Sequence, residues 1–128
     1  MLTIAIQQHI LELVRQTQGH AITSLQFVPV GGGSINHTYR VDTNTKEHFF
    51  CKINSASKFP GLFEAEKNGL ALLREKRKIR VPKVLAISSV DDVQLLIMEW
   101  IEQGARTRHF WSHFGEQLAD LQIGRAHV

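Results

Sequence analysis

Three consecutive glycines, Gly31, Gly32 and Gly33, are followed directly by Ser34, Ile35 and Asn36, and stand between an apolar run (Ile22 to Val30) and an alternating one (Thr38 to Asp42). Glycine carries no Cβ and adopts positive φ at little cost, so three in a row mark a turn. With a strand-like run on either side, the simplest arrangement is an antiparallel hairpin with a bare-backbone loop at its tip. The loop lacks Gly-x-x-x-x-Gly-Lys-Ser/Thr and Gly-x-Gly-x-x-Gly, so it is neither of those phosphate loops. Its place between two strands nevertheless suits another use. Backbone amides there can approach phosphate oxygens without Cβ interference, and Ser34 can add a hydroxyl. Taken alone, the three glycines need be no more than a turn.

The remaining periodicities place this loop in an α+β domain. Residues 3 to 17 carry Ile4, Ile6, Ile10, Leu11, Leu13 and Val14 on a broad stripe, which predicts an amphipathic helix with Gly19 as its stop. His48 to Asn54 reads as a third strand after the turn Thr43-Asn44-Thr45, and short connections favour antiparallel pairing. Phe59-Pro60-Gly61 breaks the pattern. From Leu62 to Lys76 the spacing is helical, with Phe63, Leu70 and Leu73 as core candidates. Pro82 ends that region. Val84 to Ser88 and Gln94 to Trp100 are two more strands around Val90-Asp91-Asp92. Glu102-Gln103-Gly104 is a linker, and Thr107 to Leu121 a last helix with Thr107 as N-cap. The expectation is a five-stranded antiparallel sheet with three helices.

Within that order, Lys52 lies on the third strand, in Phe49-Phe50-Cys51-Lys52-Ile53-Asn54. Alternation puts Phe50, Lys52 and Asn54 on one face and Cys51 and Ile53 on the other. A lysine among apolar neighbours on a central strand needs a charge partner; on an edge strand it could instead point to water. Glu66 on the next helix is the natural partner. Glu64 competes, and only one of the two can face the sheet, because positions two apart diverge around a helix. Loop, strand lysine and helix glutamate, in that order, form the phosphate-handling half of a kinase site. The strand ending Met98-Glu99-Trp100-Ile101 then falls where a hinge would begin. Met98 would back an adenine pocket, and Glu99 to Ile101 would line it. An ordinary core strand running into a loop gives the same sequence.

Composition narrows the alternatives. The chain has 128 residues, 43% of them hydrophobic and 21% charged, which suits one globular domain. No apolar run approaches a membrane span, and no basic head precedes the first apolar residues, so neither membrane nor signal peptide is expected. One cysteine, Cys51, excludes an internal disulfide and fits a cytoplasmic setting. The net charge of +3 is scattered. Its densest cluster, Arg74 to Arg80, has no interleaved aromatics and reads as a solvated helix end, not a nucleic-acid surface. His109 and His113 have metal-capable spacing but no third ligand, so no metal site is expected from them. Phe110, Trp111 and Phe114 read as a packing face.

Four runs carry a family resemblance: Gly31 to Arg40, Phe49 to Asn54, Phe63 to Leu70 and Phe110 to Ala119. Together they resemble fructosamine kinases (ketosamine 3-kinases), of the aminoglycoside phosphotransferase and choline kinase group of protein-kinase-like folds. The resemblance covers nearly everything up to Leu121. It implies ATP-dependent phosphorylation of a sugar hydroxyl on a sugar–amine adduct, which destabilises the adduct and repairs the amine. By the same resemblance Gly31, Gly32, Gly33, Ser34, Ile35 and Asn36 cover the phosphates. Lys52 holds them, Glu66 pairs with Lys52, and Met98, Glu99, Trp100 and Ile101 contact adenine. Some relatives carry a cysteine in the glycine loop that permits a redox-linked dimer; here that place holds Ser34.

The family continues into a large helical lobe bearing the catalytic base and the magnesium carboxylates. The expectation is therefore a kinase-like N-lobe over 1–102, and a linker plus first helix of a truncated C-lobe over 103–122. No catalytic residue is expected in the chain. Ile123 to Val128 depart from the family and match what a common short-read sequencing adapter encodes, so 123–128 are expected to be non-native. Two alternatives stay open: a related kinase for an aminoglycoside or choline-like alcohol, and a non-catalytic interaction domain. The latter would pack Trp100, Ile101 and the Phe110, Trp111 and Phe114 face internally, whereas a lobe parted from its neighbour would expose them.

Overall fold

Five strand-like runs in the sequence become one antiparallel sheet covered on both faces. The computed structural model describes residues 2–31, 35–77 (the side chain of Arg77 excepted), 80–102 and 110–118. The strands are β1 (Leu25–Pro29), β2 (His37–Thr43), β3 (His48–Ser55), β4 (Val84–Val90) and β5 (Val93–Glu99). Their order is β1-β2-β3-β5-β4, every neighbouring pair antiparallel. The helices are α1 (Ile4–Gln18) and α2 (Leu62–Arg77), with a third, α3, over 110–118. All five strands and all three helices stand where the sequence placed them, the ends moved by a few residues. Gln103 and Gly104 of the linker, the Thr107 cap, the end of the last helix and residues 123–128 lie outside the described residues.

Alternation along β3 divides the core in two. Cys51 and Ile53 point into a cluster with Ile6, Ile10 and Val14 of α1 and with Leu95 and Ile97 of β5. Phe50 points the other way, into a cluster with Phe63 and Leu70 of α2, Met98 of β5, and Trp111 and Phe114 of α3. The α1 stripe is narrower than the sequence suggested. Ile6, Ile10 and Val14 are buried, while Ile4 is exposed, because it lies about a third of a turn away from the centre of that line. Thr3 caps the helix by accepting the Ile6 amide on its hydroxyl at 3.2 Å. Gly19, at φ 125°, ends it by donating its amide to the Arg15 carbonyl.

Because β3 lies between β2 and β5, Lys52 sits on the central strand, opposite Thr38 on one side and Leu96 on the other. The edge-strand reading of this lysine is thereby excluded. Asp91, at φ 54°, makes the tight turn that returns β4 to β5.

Cys51 on the α1 face is completely buried, and burial pushes its thiol up to about 12. At about pH 8 a chromogenic disulfide reagent should therefore leave the folded chain untouched and react fully once denaturant is added. Rapid labelling without denaturant would show that the α1 face is not packed this way.

Candidate functional site

Charge is brought into the second core cluster by α2. Along this helix Phe63, Glu66 and Leu70 recur at three and four residues, and all three are buried. Glu64 falls off that stripe and is exposed, which settles the choice between the two glutamates. The Lys52 ammonium donates to Glu66 Oε2 at 2.7 Å, and both side chains are 0% exposed. Burial pulls the lysine below its ordinary range against the opposing pull of Glu66 and Glu116. Burial pushes Glu66 up, Lys52 opposing and Glu116 adding to the rise.

The ends of the glycine loop are anchored separately. Asn36 joins a buried run of amides. Gln94 donates to Asn54 Oδ1 at 2.6 Å and to the Phe59 carbonyl at 2.8 Å, and Asn54 donates to Asn36 Oδ1 at 2.7 Å. The loop exit is thus tied to the same face of β3 that carries Lys52. Ile35 donates its backbone amide to Glu116 Oε1 of α3 at 2.9 Å. Gly31, at φ 73°, stands so near α3 that a Cβ there would lie 3.5 Å from Ser112 Oγ. Gly32, Gly33 and Ser34 lie outside the described residues.

The predicted hinge residues are brought to the same end of the sheet, with different surroundings. Met98 is fully buried beside Phe50, its register partner. Glu99 is engaged: its carboxylate accepts from Arg80 at 3.0 Å and from the Lys83 amide at 3.3 Å, and its own amide donates to the Lys83 carbonyl at 2.8 Å. The Trp100 ring stacks on Phe50 with centroids 5.4 Å apart, and its indole N–H donates to Glu102 at 2.7 Å. Ile101, Trp111 and Phe114 are buried, Trp100 is half-buried and Phe110 is 40% exposed.

Sequence reasoning missed two neighbours of the ion pair, Gly115 and Glu116. A Cβ at Gly115 would stand inside 3.0 Å of Glu66 Oε1, closer than real Cβ atoms come. The carboxylate and the helix backbone therefore meet across a gap only glycine permits. Gly69 of α2 plays the complementary part, since a Cβ there would press on Leu118 and Phe114. A glycine inside a helical stretch costs stability, so Gly115 in the middle of Phe110 to Leu121 was the available signal for a close approach. Nothing in spacing alone pointed Glu116 at the loop. Among the described residues no group of three or more His, Cys, Asp or Glu could hold a metal; His109 lies outside them.

A five-stranded antiparallel sheet with a central-strand lysine held by a helix glutamate is the N-terminal lobe of a kinase-like fold. The chain belongs to the fructosamine kinase family, whose profile matches residues 6–126. It is 31% identical over 114 residues to a Synechocystis protein named as a probable ketoamine kinase, covering 89% of this chain and 38% of that one. It is 33% identical over 108 residues to a rice chloroplastic protein-ribulosamine 3-kinase, covering 82% of this chain and 30% of that one. The chain thus spans roughly a third of the length of these relatives. A crystal structure named "putative fructosamine-3-kinase" from Haemophilus somnus superposes with a TM-score of 0.63 at 24% identity, over 74% of this chain and 32% of its own. The corresponding Thermobifida fusca structure gives 0.50 at 26% identity, with the same coverages.

Removing one partner of a buried ion pair leaves an uncompensated charge, whereas replacing both with apolar groups of similar volume is close to neutral. Glu66→Leu should therefore cost roughly 3–5 kcal/mol in urea unfolding, and Lys52→Met/Glu66→Leu much less than that single change. Additive losses in the two single variants and the double one would contradict the pairing.

Proposed function

We propose that the whole protein is an ATP-dependent ketosamine 3-kinase. On this reading it phosphorylates a sugar hydroxyl of a fructosamine- or ribulosamine-type adduct in the cytoplasm and so promotes loss of the sugar from the amine. The observation that carries the reading is the fully buried Lys52–Glu66 pair at the centre of the lobe, in a chain of this family. Lys52, fixed by Glu66, presents its ammonium to the α- and β-phosphates of ATP. The amides of Gly31 to Asn36, with the Ser34 hydroxyl, cover them. The Ile35 amide already donates to an anionic oxygen of Glu116, so the loop exit fits such a ligand. Met98 and the backbone from Glu99 to Ile101 bound the adenine. The Glu99 amide is taken by Lys83, which leaves donation to the base to Trp100 or Ile101. Magnesium would neutralise charge on the transferring phosphoryl group, with carboxylates that the family resemblance places in the following lobe.

The polypeptide 1–128 by itself is proposed to be inactive, since in-line transfer needs a base and metal carboxylates that none of the residues assigned here supplies. A second reading, a non-catalytic interaction domain, draws on the burial of Ile101, Trp111 and Phe114. It leaves unexplained why a buried lysine and glutamate are retained on the cleft side of the sheet.

The test is transfer of labelled phosphate from ATP to fructosyl-lysine by the whole protein. Lys52→Met should lower kcat/KM by about 100-fold or more, and residues 1–128 alone should give no product. Unchanged turnover in Lys52→Met, or phosphorylation by 1–128, would overturn these assignments.

A further inference from the structure

Three observations converge on α3. Lys52, the group that should meet phosphate, is 0% exposed. The Ile35 amide, a loop donor free to meet a phosphate in an open site, is taken at 2.9 Å by the Glu116 carboxylate. The apolar cluster on the same side of the sheet, containing Phe50 and Met98 with Val30 and Trp100 packed against it, also contains Trp111 and Phe114. The last two obstacles come from one short helix, and the same helix backs the partner of Lys52 through Gly115. Ser112, Gly115 and Glu116 lie along one face of it and meet, in turn, Gly31, Glu66 and Ile35. The fit is incomplete in a telling way. Glu66 Oε1, Glu116 Oε2 and the Trp111 indole N–H are buried with no hydrogen-bond partner among the described residues. Buried polar groups without partners are costly, so the contacts of α3 in this arrangement are weaker than those of a fully satisfied helix.

We propose that α3 is an internal occupant of the nucleotide site, with Glu116 standing where a nucleotide phosphate would bind and Trp111 filling the apolar wall near the adenine position. This rests on the ATP reading of the site given above. In this state Lys52 is closed to ligand, and nucleotide enters only by displacing α3. A ligand competes with such an occupant through its differential affinity for the open state. Weakening the Glu116 contact should therefore favour the ligand.

The experiment has one arm that needs no nucleotide. Residues 1–128 are treated with a mild lysine acylating reagent, and Lys52 modification is followed by mass spectrometry, with Cys51 reactivity as a monitor of the opposite core. In the unaltered chain Lys52 should be among the slowest lysines. Gly115→Ala, whose new methyl collides with Glu66 Oε1, should speed Lys52 modification about tenfold while Cys51 stays silent. Lys52 remaining protected in that variant with Cys51 silent would overturn the proposal. If Gly115→Ala instead exposes both residues, Glu116→Gln decides. It keeps an oxygen for the Ile35 amide and removes only the charge.

In the second arm, ATP and adenosine are titrated by calorimetry. Glu116→Gln should bind both ATP and adenosine about fivefold more tightly than the unaltered chain, since both enter only by displacing α3. Tighter ATP with unchanged adenosine would show charge repulsion alone and overturn the occupant. Equal or weaker ATP binding in Glu116→Gln would overturn the proposal. If Lys52 becomes reactive as expected yet ATP binds neither chain, the occlusion by α3 stands and the ATP reading of the site fails.

Discussion

A lysine and a glutamate with no exposure to water must either find each other or lose their charge, and much of the lobe is arranged around that requirement. Burial drives Lys52 and Glu66 toward neutrality, and their 2.7 Å contact opposes it. The contact holds only if both backbones are fixed. β3 is fixed by ladders on both sides, to β2 and β5. α2 is fixed by Phe63 and Leu70, which bracket Glu66 on the buried stripe. Packing here maintains one polar geometry, which is a different task from maximising apolar area.

The sheet separates that task from ordinary stability. Its α1 face is built mainly from aliphatic residues with Phe49 and a cysteine, and Ile10, Ile53 and Leu95 are fully buried. Its α2 face carries Lys52 and Asn54 beside Phe50 along one strand. Period-two alternation therefore lets one strand serve a scaffold and a site together. The amide run from Phe59 through Gln94 and Asn54 to Asn36 extends the polar part toward the glycine loop. Each of these side chains is hydrogen-bonded to the next, so the loop exit is positioned by hydrogen bonds where apolar packing could not specify it.

What the sequence revealed follows from how local each signal is. The five strands and α1 were legible because alternation and the Ile6, Ile10 and Val14 spacing are short-range. Lys52 was legible because a lone cation in Phe49-Phe50-Cys51-Lys52-Ile53 conflicts with its neighbours unless it is paired. The choice of Glu66 over Glu64 was not, because both lie near the start of α2 and only the rotation of the helix on the sheet decides between them. The engagement of Glu99 with Arg80 and Lys83 depends on a segment returning from elsewhere in the chain. Glu116 was hidden for the same reason: its target, the Ile35 amide, is remote in sequence. Gly115, like Gly69 on α2, left a trace as a helix-interior glycine with no turn to explain it.

The charges around Lys52 also indicate which contact can change. One ammonium faces two carboxylates, and Glu116 acts on both members of the pair, supporting the charge on Lys52 and opposing it on Glu66. Adding the phosphates of a nucleotide to that group would place further negative charge in a poorly hydrated space, where like charges repel most strongly. Glu66 cannot leave, since it is seated in the stripe that holds α2 to the sheet. Glu116 is only half-buried, and it is held by one loop amide on a helix whose polar fit is incomplete. If nucleotide is to reach Lys52, the carboxylate to give way is the one on α3. The pair that positions the lysine and the contact that covers it are thus built from different helices, which lets one persist while the other is exchanged.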